Sequence, residues 1–313
     1  MDKTTANPVR GIAMKVCSIV LFVCMTALIK QGGQGLATGQ NTFFRSAFAM
    51  VPILAWLIWR GELKGAFRTS NPVGHFYRGF IGVISMSLGF YGIVHLPLPE
   101  YIAIGYAMPL FSVIAGAVLL KEVVRRYRWG AVFAGFIGVI IILWPRLDAI
   151  RSGTLGTEGT LGAIAVLGSA AVAAIAMVQV RQLVRTENTP TIVLYFSLSA
   201  AIYSLMTLPF GWVAMSADAV ALLILAGFFG GCGQILLTES YRYADVSAVA
   251  PFEYTSIIWA TIVGYVAFGE LPDRTLLFGT VIVIGAGIYI LYRENRRARE
   301  MAIDRPPPPI AGA

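Results

Sequence analysis

Residues 100–144 read EYIAIGYAMPLFSVIAGAVLLKEVVRRYRWGAVFAGFIGVIIILW. From Ile102 to Leu120 no residue is charged. A basic knot follows, made of Lys121, Arg125, Arg126 and Arg128 around a single acid, Glu122. Trp129 to Trp144 is uncharged again and carries Gly130, Gly135 and Gly138. An apolar run, a charged turn and a second apolar run predict a helical hairpin across a lipid bilayer, whose core needs roughly 20 apolar residues per helix. The same pattern returns later. Tyr254–Gly269 is uncharged, Glu270 stands at the turn, and Thr275–Tyr292 is uncharged with Gly279, Gly285 and Gly287. Glu122 and Glu270 are 148 residues apart, and Gly130–Gly279 and Gly138–Gly287 are each 149 apart. The chain is therefore read as a duplication, with one such hairpin near the end of each half.

Composition fits the same reading. Of 313 residues, 57% are hydrophobic and 13% are charged, with a mean hydropathy of +0.74. A soluble domain carries about 25% charged residues, so these side chains cannot cover a water-facing surface. Strand-like alternation is absent, so helices are expected to satisfy the backbone in lipid. The fold class predicted is an all-α polytopic membrane protein. The net charge of +8 is read as loop charge that sets topology, not as a nucleic-acid surface. Cys17, Cys24 and Cys232 lie inside apolar runs and match no metal or disulfide spacing.

Working outward gives ten transmembrane spans, at about 10–29, 38–59, 74–94, 98–120, 129–145, 159–180, 190–213, 219–240, 247–269 and 275–292. The first is read as a retained helix and not a cleaved signal. The segment 293–313, with its proline run Pro306–Pro309, is read as a disordered tail. Placing the N-terminus in the cytoplasm puts seventeen Lys and Arg on the cytoplasmic segments and four on the outer ones. That bias predicts a multi-pass protein of the bacterial inner membrane with both termini cytoplasmic. Five spans per half is an odd number, so the second unit (157–292) enters the membrane upside down relative to the first (10–145). Inverted repeats are the architecture of secondary transporters, with the substrate near the midplane between the halves.

The pattern resembles the drug/metabolite transporter superfamily, specifically its EamA-type members with ten helices in two EamA repeats. The residues that carry the resemblance are Arg78-Gly79, Pro109, Lys121-Glu122 and Gly138-Val139-Ile140 in the first half. In the second they are Pro251-Phe252-Glu253-Tyr254 and Gly269-Glu270. The resemblance implies alternating access, with the fifth and tenth spans as scaffold. It leaves the substrate open, because relatives carry amino acids, nucleotide-like metabolites, vitamins and drugs.

Candidate site residues follow from the cost of polar groups at membrane depth. Arg45 lies about 10 Å into the second span, and Glu100 opens the fourth from the same side. They are read as lining an outer vestibule, contacting substrate or each other; snorkelling is the alternative for Arg45. Lys15 is close enough to the surface to snorkel. Arg78, Glu239 and Glu253 approach the opposite boundary and form a candidate ion-pair gate, or three independently solvated ends. A proton-coupling Glu is the sharper version of the gate. Gln179, Gln234 and Ser85 need partners in a dry interior, either another helix or the substrate. Tyr106, Tyr254 and Trp259, with Tyr101 and Phe252, decorate the equivalent fourth and ninth spans and would suit a flat or amphipathic metabolite. An interfacial aromatic belt explains several of them equally well. Glu122 and Glu270 are read as orienting their hairpins, and Pro109 as a kink.

No cofactor, metal or catalytic residue is expected. There is no HExxH and no P-loop, and the only histidines are His75 and His95. The function read from the residues is secondary transport of a small polar or aromatic metabolite. Within that class the choices are uptake of a riboflavin-like vitamin, uptake of an S-adenosylmethionine-like nucleoside, and amino-acid export. A membrane-embedded enzyme and a lipid scramblase stand outside it. The expected partners are the solute and the bilayer; oligomeric state cannot be read.

Overall fold

A computed structural model describes residues 7–122, 124–151, 157–184, 186–244 and 246–303. Its elements in chain order are α1 (Pro8–Gly32), α2 (Thr38–Trp59), the short α3 (Leu63–Ala66), α4 (Pro72–His95), α5 (Leu98–Gly105), α6 (Met108–Leu119) and α7 (Arg126–Arg151). The second half continues with α8 (Thr157–Leu183), α9 (Thr189–Leu205), α10 (Ala217–Tyr243), α11 (Val246–Val249), a 3-10 turn (Ala250–Thr255), α12 (Ser256–Phe268) and α13 (Arg274–Ile303). The protein is all-helical among the described residues. Among the same residues, eight segments are long and apolar enough to cross a membrane.

Local chemistry explains where the helices begin. Asn7, Asn71 and Ser216 accept backbone N–H groups from Arg10, Gly74 and Ala219, at 3.1, 2.9 and 3.2 Å. These bonds satisfy donors that a helix start leaves open. Pro8, Pro72, Pro99 and Pro190 occupy first-turn positions, where no N–H is needed.

Three expectations are corrected. The seventh span stops at Leu205 and not near 213, because Pro209 and Gly211 (φ +85°) turn the chain back over 206–211. The ninth span is not one helix: Pro251 sits in a 3-10 turn between α11 and α12. The last helix runs on through Ile303, so 293–303 is helical and not an irregular tail. The proline run lies outside the described residues.

The duplication reaches the backbone. Lys121 (φ +53°) and Gly269 (φ +68°) are both left-handed, 148 residues apart. The next residue in each case, Glu122 or Glu270, returns its N–H to a glycine carbonyl, Gly116 at 3.2 Å or Gly264 at 3.0 Å. This is a Schellman-type helix end made twice.

Packing follows the same rule. α1 lies along α10, and its counterpart α8 lies along α4, the counterpart of α10. Small residues permit both contacts. A Cβ on Gly11 would collide with Ala244, and one on Gly162 would lie 3.0 Å from the Cβ of His95. α7 and α13 cross at Gly138 and Gly279, where a Cβ on either would lie within 2.8 Å of the other's carbonyl oxygen. The halves therefore interlock along a seam instead of forming separate bundles. One core joins Ile104, Leu110 and Val139 to Val166 and Val283; another joins Ile19, Val23 and Ile93 to Leu223 and Ala260. Outside them, Trp59, Phe133, Phe210 and Val266 are exposed. Such an apolar surface suits lipid and not water.

Candidate functional site

The fourth and ninth spans break at equivalent places. In the first half the break falls at Tyr106–Ala107, between α5 and α6. Pro109, one turn on, has no N–H for the Gly105 carbonyl, so the helix yields before the proline and not at it. In the second half the 3-10 turn ends around Tyr254, the residue 148 positions after Tyr106. The two tyrosines meet edge-on, with ring centroids 5.2 Å apart. The Tyr106 hydroxyl accepts the Ile257 N–H (3.0 Å). It also lies 2.7 Å from Ser256 Oγ and 3.1 Å from the Tyr254 carbonyl. One break is thus bonded to the other across the seam. The Tyr254 ring is seated against Gly287, where a Cβ would occupy the place of its hydroxyl.

Beside this junction α4 and α8 are stitched together by Ser85 and Ser169. Each hydroxyl donates to the other's carbonyl, at 2.9 and 2.7 Å. Gly89 lies on the same face of α4. A Cβ there would sit 3.3 Å from the Tyr101 hydroxyl and 3.2 Å from Ser169 Oγ. Tyr101 stands in turn within electrostatic reach of Arg45. Arg45 is 8% exposed, and its Nε has no hydrogen-bond partner among the described residues. A Cβ on Gly230 of α10 would lie 3.3 Å from that Nε, so the absence of a side chain at 230 makes room for the guanidinium.

Glu100 does not meet Arg45. Its carboxylate takes both prongs of Arg146, Nε to Oε1 at 2.8 Å and Nη2 to Oε2 at 2.7 Å. That pair borders a cavity of about 290 Å³ between Pro97, Pro99, Pro272 and Asp273. Gln234 lines a crevice with Ile53, Pro190 and Thr238. Gln179 is half-buried on α8, and Trp259 packs on the core around α1.

Arg78, Glu239 and Glu253 are also kept apart. The Arg78 guanidinium lies 4.1 Å from the Phe196 ring centroid. Glu239 binds Arg60 at 2.7 Å. Glu253 binds Lys15, which is buried about two turns into α1. At the far end of α1, Lys30 binds Glu270. α1 is thus tied to the broken span at two places, near the break and at its far end.

Sequence reasoning missed Lys30, Arg60, Arg146 and Glu187 as partners, because a carboxylate 240 positions from its lysine leaves no local signal. Glu187 lies in the loop between α8 and α9. Its Oε1 accepts from the Thr69 hydroxyl, the Ser70 N–H and hydroxyl, and the Asn71 N–H, at 2.7–3.0 Å. Burial pushes its carboxyl up. The bonds from Thr69, Ser70 and Asn71 outweigh that and hold it below the ordinary carboxylate value. Its other oxygen faces His75 at 3.9 Å.

Among the described residues no cluster of His, Cys, Asp or Glu could hold a metal ion.

A sequence model of the EamA-like transporter family matches residues 9–144 and 160–293. An S-adenosylmethionine uptake transporter of Rickettsia prowazekii is 26% identical over 298 residues, covering 95% of this chain and 97% of that protein. A riboflavin transporter of Vibrio cholerae is 28% identical over 297 residues, covering 94% and 96%. The pseudopaline exporter CntI of Pseudomonas aeruginosa is 27% identical over 282 residues, covering 89% and 94%. A solved crystal structure shares the fold with a TM-score of 0.62 at 18% identity, covering 90% of this chain and 97% of the other.

Proposed function

The chain belongs to the EamA-like transporter family, and from that premise we propose that it is a secondary transporter which carries a flat, heteroaromatic metabolite across the bacterial inner membrane by alternating access. The observation that carries the reading is the seam. Two helices are broken at equivalent tyrosines, Tyr106 and Tyr254, where the two halves meet. Discontinuous helices at a repeat interface are where transporters place their sites. The seam is latched at one face by Lys15–Glu253 and at the other by Lys30–Glu270. Each face opens when its own pair parts, and the remaining pair keeps the opposite face shut.

The solute binds between Arg45, Tyr101 and the Ser85–Ser169 stitch, with Trp259 as an aromatic neighbour. An S-adenosylmethionine-like nucleoside is the first choice, supported by relatives that align along 95% of the chain. A flavin is the second, supported by the Vibrio relative. Both present a flat ring system that aromatic side chains recognise by stacking.

The test is flux into sealed liposomes holding the purified protein. Labelled S-adenosylmethionine and labelled riboflavin are each supplied outside, and protein-free liposomes set the leak. Accumulation of one solute above the leak is expected, with loss on permeabilising the vesicles. Neither solute moving would sink the proposal, as would turnover that persists without a closed membrane.

A further inference from the structure

We propose that Arg45 is a carboxylate-binding residue, so that the transported solute carries a carboxylate, as an α-amino-acid group does. This rests on the reading of the seam as the solute site. The cations held within or at the ends of the helices differ in their partners. Lys15 has Glu253, Lys30 has Glu270, Arg60 has Glu239 and Arg146 has Glu100. Arg78 has no acid among the described residues but lies against the Phe196 ring. Arg45 has neither an acid nor a ring face among the described residues, although it is more than nine-tenths buried.

A buried guanidinium without a counter-charge is costly. It is retained where a bound group completes it. Three features point to an anion from outside the chain. The open Nε–H belongs to the fork that pairs with a carboxylate through two parallel bonds. Gly230, which faces that fork from α10, brings no side chain to pair with it. The Tyr101 phenol, within electrostatic reach, is a second neutral donor and not a competing acid. Arg45 also stands where α2 faces α10, at the contact between the two halves. A solute anion there would be gripped from both.

Positive groups on the same solute need no acid. Tyr and Trp ring faces attract an ammonium or sulfonium.

The experiment measures binding by thermal shift, and flux in liposomes, with the full-length protein. The probes are S-adenosylmethionine, its carboxyl methyl ester and riboflavin. The wild-type protein is expected to bind the free acid about 10- to 100-fold more tightly than the ester, the range for a hydrogen bond to a charged group. Arg45→Met should abolish that preference, and Arg45→Lys should restore part of it. Equal affinity for acid and ester in the wild type overturns the proposal, and this arm needs no folded variant. Riboflavin binding without the free acid overturns it too while leaving the transporter reading intact. If no probe binds or moves, both fall together.

Discussion

Lys30 and Glu270 are separated by 240 residues and form an ion pair that grips the turn between α4 and α5 from both sides. The Lys30 ammonium donates to the Leu96 carbonyl at 2.5 Å, and the other Glu270 oxygen accepts the Leu98 N–H at 2.7 Å. Glu270→Gln keeps an acceptor for Leu98 but strands a buried ammonium. Breaking a buried pair from one side costs about 3–5 kcal/mol. The melting temperature in detergent should fall clearly. Lys30→Met combined with Glu270→Gln should lose less than the two single changes added together. Additive losses would show that the pair is not a unit.

The Tyr106 hydroxyl fills a vacancy that the broken ninth span creates, because the Ile257 N–H bonds to it. Tyr106→Phe leaves that buried N–H open, at a cost of about 1–3 kcal/mol. Tyr254→Phe should cost less, since among the described residues no hydrogen bond holds its hydroxyl. If the two breaks act as one joint, Tyr106→Phe should also change the flux rate while solute affinity stays within about twofold. Melting curves and initial rates on the same preparations decide this. Equal effects of the two substitutions would count against the joint.

Glu187 gives the protein an acid-sensitive clamp. Its folded pKa lies below the ordinary carboxylate value, so its contribution is complete above that value, near 4.3. The contribution is lost as pH falls through the lower, folded value. Glu187→Gln should therefore lower the melting temperature at pH 7, and the gap to wild type should narrow on acidification below about pH 4. His75 faces the free oxygen at 3.9 Å, so His75→Phe serves as the control that isolates the contribution of the Thr69–Asn71 turn. A gap constant from pH 7 to pH 3.5 would remove the clamp.

The hairpin duplication was legible because it is written in local terms. Glu122 and Glu270 each follow a left-handed residue and precede a glycine-bearing helix, and both make the same backbone bond. Lys121 hides the likeness in one half, since a lysine gives no hint of a positive φ where Gly269 does. The breaks were less legible. Pro109 pointed to the right turn of the right helix, but a proline disturbs the carbonyl four residues before it, and the chain opened there. Pairing was the least legible. Arg45 with Glu100, and Arg78 with Glu239 and Glu253, were joined in the sequence reading by membrane depth alone. Depth does not say which helices are neighbours. Glu100 and Glu239 found Arg146 and Arg60, and Glu253 found Lys15.

An odd number of spans in each half requires the loop around Arg125 and the turn at Arg274 to lie on opposite faces of the membrane. Both are exposed ends of helices that pack on each other, α7 and α13. Their mates in the packing, Tyr127 and Arg293, lie at one end of that pair, with the guanidinium 5.2 Å from the ring centroid. Arg274 is therefore at the other end, about 28 Å away at 1.5 Å per residue. That distance is close to the thickness of a bilayer core. Single cysteines at Arg125→Cys and Arg274→Cys, with Cys17, Cys24 and Cys232 replaced, can be probed with a membrane-impermeant maleimide. On intact cells the cysteine at 274 should label freely. The one at 125 should label only after permeabilisation, as the excess of Lys and Arg on its face requires. The reverse pattern would turn the whole protein over and keep the inversion. Equal labelling of both on intact cells would remove the two-fold relation between the halves, and with it the seam on which the transport reading rests.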